Sequence, residues 1–166
     1  MIKYIPFLVG MLCSLGASSQ EFLLSGHELA KQYAYSNIQQ GLKNPQQVYR
    51  LKLEQKQVNP QELLQFPNVQ HLKLRDNGMD HLPDSIEKLG KLQVLISKGN
   101  MLKTLPDGFP ALQHLRNLTI TGSHITHLPE NWGALTDLKR CVLKDNRIRE
   151  LPGSFEKLSR LSLLVL

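Results

Sequence analysis

Apolar residues recur in one fixed order from Val69 to Arg160. Each 23-residue stretch reads L-x-x-L-x-L-x-x-N-x-L-x-x-L-P-x-x-(I/F/W)-x-x-L-x-x. The first copy, 69–91, carries Val69, Leu72, Leu74, Asn77, Met79, Leu82, Pro83, Ile86 and Leu89. The copies at 92–114, 115–137 and 138–160 follow without insertion, and a partial copy, 161–166, ends the sequence. Within each copy the L-x-L pair alternates with polar residues, which predicts a short half-buried strand. Leu72/Leu74, Leu118/Ile120 and Cys141/Leu143 are such pairs. The Leu-Pro pair predicts an extended or turning return. A short helical piece is expected before Leu89, Leu112, Leu135 and Leu158.

One copy cannot fold alone. Its roughly seven apolar side chains contribute ~1.5–3 kcal/mol each if fully buried. Ordering the backbone costs ~1–2 kcal/mol per residue. Stacked copies cover one another's leucines and share a continuous core. Successive strands then form a parallel sheet, and unequal strand and return sides predict a curved stack. The residue after each strand, Asn77, Asn100, Ser123 or Asn146, forms a structural ladder in which an Asn amide satisfies backbone groups in the turns. Ser97, at an inward leucine position, and Ser123, at a ladder position, read as packing variants.

Residues 48–68 form a degenerate first repeat, two residues shorter, with Val48, Leu51 and Leu53 on its strand and Lys56 in the ladder position. Residues 20–47 read as an N-terminal helical cap. Ser25 and Glu28 fit a capping box. A single helix is expected from about His27 to Gln40, ended by Gly41, with one side covering the first repeat's leucines. Residues 1–19 have one lysine, an apolar run and a small-residue end, the pattern of a secretory signal cleaved near Ser19–Gln20.

The period and its signature residues resemble the leucine-rich repeat, over about 48–166. The Leu-Pro variant is similar to Ras-group and many bacterial secreted repeat proteins. The resemblance implies an α/β solenoid, with a curved parallel sheet on the concave face, short helical, 3-10 and extended pieces on the convex face, and protein recognition by the concave face. Only Cys13 and Cys141 are present, so cysteine-rich end caps are lacking, which leans towards a bacterial origin.

Composition adds little to the fold and something to the partner. The formal charge is +6, one fewer without Lys3, which favours anionic partners mildly. Partner-binding candidates on the strand face are Arg50, Lys52, His71, Lys73, Arg75, Val94, Ile96, Lys98, Arg116, Thr119, Arg140, Val142 and Lys144. Glu54, Asp76, Lys139 and Asp145 lie beside them, so the face is more basic than the whole chain. Two readings stay open. The N-terminal half of the face attracts an acidic protein patch or an anionic glycan, or it is a solvated surface charged for solubility. Val94, Ile96, Val142, Leu163 and Val165 add an aliphatic zone, which either suits a protein ligand better than a sugar or only fills strand positions with residues that favour strands.

No catalytic residues are assigned, and neither a cofactor nor a metal is expected. There is no Gly-rich phosphate loop, G-x-S-x-G or H-E-x-x-H. His124 and His127 are three apart without a third ligand at that spacing, and zinc needs three or four. Basic residues lack the interleaved aromatics of a single-strand nucleic-acid platform, and the apolar run Tyr4–Ala17 is short for a membrane span. The expected function is a non-catalytic, exported protein-interaction scaffold, located in the periplasm, at the cell surface or outside the cell. The alternative is the repeat portion of a larger effector, enzyme or surface-anchored protein. The open repeat at Leu161–Leu166 leaves self-association as a further possibility.

Overall fold

A computed structural model describes residues 22–166; the signal-like stretch 1–19 lies outside the described residues. Seven strands pair in sequence order, all parallel, in one sheet. They are β1 (Ala34–Tyr35), β2 (Arg50–Glu54), β3 (His71–Arg75), β4 (Val94–Lys98), β5 (Asn117–Thr121), β6 (Arg140–Val142) and β7 (Leu163–Val165). The register places Leu51, Leu72, Leu95, Leu118, Cys141 and Leu164 in one inward column. The 23-residue sequence period therefore becomes a one-strand step in space. Short 3-10 pieces form the return side: Pro60–Gln65, Ile86–Leu89, Phe109–Ala111, Trp132–Ala134 and Gly153–Lys157.

Between strands and returns runs one hydrophobic core, from Ile38 to Leu158. Its return side holds Ile86, Phe109 and Trp132, fully buried, with the Phe109 and Trp132 rings stacked at 5.4 Å. The Trp132 indole N–H finds no partner among the described residues. Ser154 ties two returns together: its Oγ accepts from the Gly133 N–H at 3.0 Å and donates to the Glu130 carbonyl at 2.5 Å. Only glycine fits at 133, because a Cβ there would lie 2.3 Å from the Ser154 carbonyl oxygen.

The strands begin and end on repeated backbone devices. The carbonyls of Tyr49, Gln70, Gln93, Arg116 and Lys139 each accept two N–H groups from the next repeat. At the other end, Gln55, Asp76, Gly99, Gly122 and Asp145 all take a left-handed conformation. The ladder follows. Asn100 Oδ1 accepts from the Asn77 N–H at 3.0 Å, and its amide donates to the Leu74 carbonyl and to Ser97 Oγ, at 3.3 and 2.9 Å. Asn146 donates to the Ile120 and Leu143 carbonyls at 2.8 and 2.7 Å. Both serine variants have a role in it: Ser97 replaces a carbonyl as the Asn100 acceptor, and Ser123 donates to the Asn100 carbonyl at 3.3 Å. Asn77 Oδ1 stays buried without a partner among the described residues, next to the shortened repeat where Lys56 holds the ladder position.

The cap corrects one expectation. The single helix 27–40 is instead α1 (Gly26–Lys31), β1 and α2 (Ile38–Gly41). The capping box at Ser25 and Glu28 is present. Gln32 turns extended, and Ala34–Tyr35 then add a strand to the edge of β2. Asn37 restarts helix by accepting from the Gln39 N–H. Sheet pairing satisfies backbone groups at the edge that a continuous helix would leave open. Ile38 joins the core from the cap, and Tyr35 and Leu42 pack against that core. Gly41 is required by close approach, since a Cβ would meet the Phe66 ring at 2.8 Å.

Candidate functional site on the strand face

Because side chains alternate along a strand, those between the inward leucines form the outer face. Three columns result. The first runs Arg50, His71, Val94, Asn117, Arg140, Leu163; the second runs Lys52, Lys73, Ile96, Thr119, Val142, Val165. The third holds Glu54, Arg75, Lys98 and Thr121, and Lys144 continues it, accepting at its carbonyl from the Gly122 N–H. Twelve of the thirteen candidates thus fall on these columns. Arg116 lies one residue ahead of β5, in register with Gln70, Gln93 and Lys139.

At the early end of the face is a hollow of about 410 Å³. Arg50, Lys52, His71, Lys73 and Lys98 line it, with Ala34, Leu51, Ile96 and Thr119. Glu54 lies beside this cationic group. Its carboxylate accepts from Lys73 Nζ at 2.7 Å and pairs with Lys52 Nζ at 3.6 Å. The Lys73 hydrogen bond holds it below the usual carboxylate range, with Lys52 and Arg75 adding attraction. Arg75 turns to Asp76, Nε to Oδ2 at 3.2 Å. His71 is pushed down to about 4, by burial first and then by Arg50 and Lys73. Its imidazole is therefore neutral at pH 7 and does not add to the charge.

Two glutamines that sequence reasoning missed hold the amino-terminal segment across the strand starts. Gln70 Oε1 accepts from the Leu24 N–H at 2.9 Å, and Gln70 Nε2 donates to the Phe22 carbonyl at 3.1 Å. Gln93 Nε2 donates to the Leu24 carbonyl and to Gln70 Oε1, both at 2.8 Å. Further back, Arg50 donates to the Ala30 and Gln32 carbonyls at 2.8 and 3.1 Å. Residues 22–32 thus form a strap along one rim of the face, and its own Leu24 and Leu29 are buried outside the main core. The only sequence signal was amide side chains at one position of two successive repeats.

Other groups do not converge. His127 Nδ1 is 2.7 Å from Thr126 Oγ1, and His81 Nδ1 is 2.6 Å from Asp80 Oδ1. Among the described residues no three His, Cys, Asp or Glu side chains gather as a metal would need. Cys141 is buried, which pushes its thiol up to about 12. Among the described residues no helix is long and apolar enough to cross a membrane.

Comparison with known proteins agrees with this geometry. A leucine rich repeat family model matches residues 113–166. No curated protein matches. Internalin C2 of Listeria monocytogenes superposes with a TM-score of 0.65 at 20% identity, over 74% of this chain and 53% of that one. A plant ice-binding protein gives 0.59 at 22%, over 71% and 41%. A leucine-rich repeat protein of Leptospira interrogans gives 0.46 at 20%, over 81% and 58%. The chain therefore spans less than two thirds of the length of each of these proteins. Register, asparagine ladder and the likeness to internalin C2 together show the fold of a leucine-rich repeat solenoid.

Proposed function

We infer that the chain is an exported, non-catalytic scaffold that binds a protein partner on its strand face. The observation that carries this reading is the face itself. Cationic and aliphatic side chains share two aligned columns beside a third that is polar and charged, and the buried leucines that build the fold are turned away from them. Val94, Ile96, Val142 and Val165 are half-buried on the outer side, in a group larger than isolated surface valines would make. The leucine-rich repeat fold, commonly used for protein interaction, fits that use, although fold alone does not fix function. Export rests on the 1–19 pattern, and a bacterial source rests on the Leu-Pro repeat type with no cysteine-rich caps.

The test is a bulky charge in the middle of the face. Thr119→Arg should abolish capture of the partner from the source organism, while Glu156→Arg on the return side should leave it intact. Equal effects would contradict the reading. For export, the secreted chain should begin at Gln20; a chain retained inside the cell with Met1 in place would contradict that part.

A further inference from the structure

The middle column of the strand face changes chemistry along the stack. It runs Lys52, Lys73, Ile96, Thr119, Val142, Val165 on six successive strands. Strands lie about 4.8 Å apart, so ammonium gives way to aliphatic within one strand spacing, and the column spans roughly 24 Å. The hollow sits at the change. Lys98, exposed on its wall, has no carboxylate partner among the described residues, whereas Lys52 and Lys73 share Glu54. Ile96 and Thr119 line the same hollow. An acidic ligand alone would leave the aliphatic half uncovered, and a sugar, which could bond Asn117, Thr119 and Thr121 beside it, would leave Ile96, Val142 and Val165 without an apolar partner. An apolar ligand alone would desolvate the lysines without pairing them, which costs free energy.

We propose that the face takes a protein segment acidic at one end and aliphatic at the other. A carboxylate sits in the hollow beside Lys73 and Lys98, and its aliphatic neighbours lie along Ile96, Val142 and Val165. This rests on the strand face being the binding surface. The charged end sets orientation and salt sensitivity, and the aliphatic end supplies most of the affinity.

The probe is a displayed library of random twelve-residue peptides, selected on the full chain. Recovered peptides should pair an acidic cluster with an aliphatic one. Each should lose at least about tenfold in affinity, which is about 1.4 kcal/mol, in the double variant Lys73→Glu/Lys98→Glu. The same loss is expected in Ile96→Ser/Val142→Ser. All four side chains face outward, and circular dichroism checks that both variants fold. Peptides that need the face but respond to only one double variant would overturn this inference and leave the binding surface standing. No recovered binder, or binders indifferent to both variants, would overturn it together with the reading beneath. Equal competition by a sulfated oligosaccharide and an uncharged one-residue-for-one (Glu to Gln) peptide would also overturn it, since the site would then not select a carboxylate.

Discussion

At the scale of single residues, the inward leucines and the ladder amides do different work. Leu118 and Leu143 are buried in the shared core. Replacing either by Ala should cost ~2–5 kcal/mol in denaturant unfolding, the usual result of a core deletion. Asn146 instead satisfies backbone groups of two repeats. Its replacement by Ala should cost ~1–3 kcal/mol in the same measurement, because carbonyls are left unpaired. Both kinds of residue were legible in the sequence, since the 23-residue period marks them. His71 was legible only as a face residue. Its folded pKa of about 4 lies below the unfolded value of 6.5, so the unfolded chain binds its proton more readily. The contribution of neutral His71 to stability is therefore complete above about 6.5 and lost as pH falls through about 4. Arg50 and Lys73, the charges that face it, act in the same direction. Melting temperature should fall from pH 7 to pH 4 more steeply in the natural chain than in His71→Gln; parallel curves would contradict the placement.

At the scale of elements, local pattern and tertiary pairing part company at the cap. The apolar spacing of Ala30, Tyr33, Ala34 and Ile38 suits one helix, yet Ala34–Tyr35 pair with Arg50–Leu51. A contact with the neighbouring strand outweighed helical periodicity, and no local window contains that contact. The strap was illegible for the same reason, because Gln93 reaches Leu24 across 69 residues. Register was easier, since a one-residue slip would turn every leucine outward; the exception is Arg116, which precedes its strand by one place. The strap should open separately from the stack. In Gln70→Ala/Gln93→Ala, limited proteolysis within residues 22–32 should accelerate while the main unfolding midpoint moves little. An unchanged cleavage rate would mean that Arg50 and the buried leucines hold the strap without the glutamines.

At the scale of the whole molecule, the repeat separates the residues that build the stack from those it presents outward. Inward columns, ladder and return side build the solenoid, and the outward columns vary from repeat to repeat without disturbing it. That division explains why the fold could be read from sequence while the partner's identity could not: the periodic residues are the structural ones. It also leaves Leu164, in the last described strand, and Leu166, just after it, exposed at 38% and 59%. We propose that recognition belongs to the strand face. The most direct measurement places a photo-crosslinking residue at Thr119, and separately at Glu156, in the chain made in its source cell. A discrete protein adduct from position 119 and none from 156 is the expected result. Adducts from 156 alone, or equally from both, would contradict the claim.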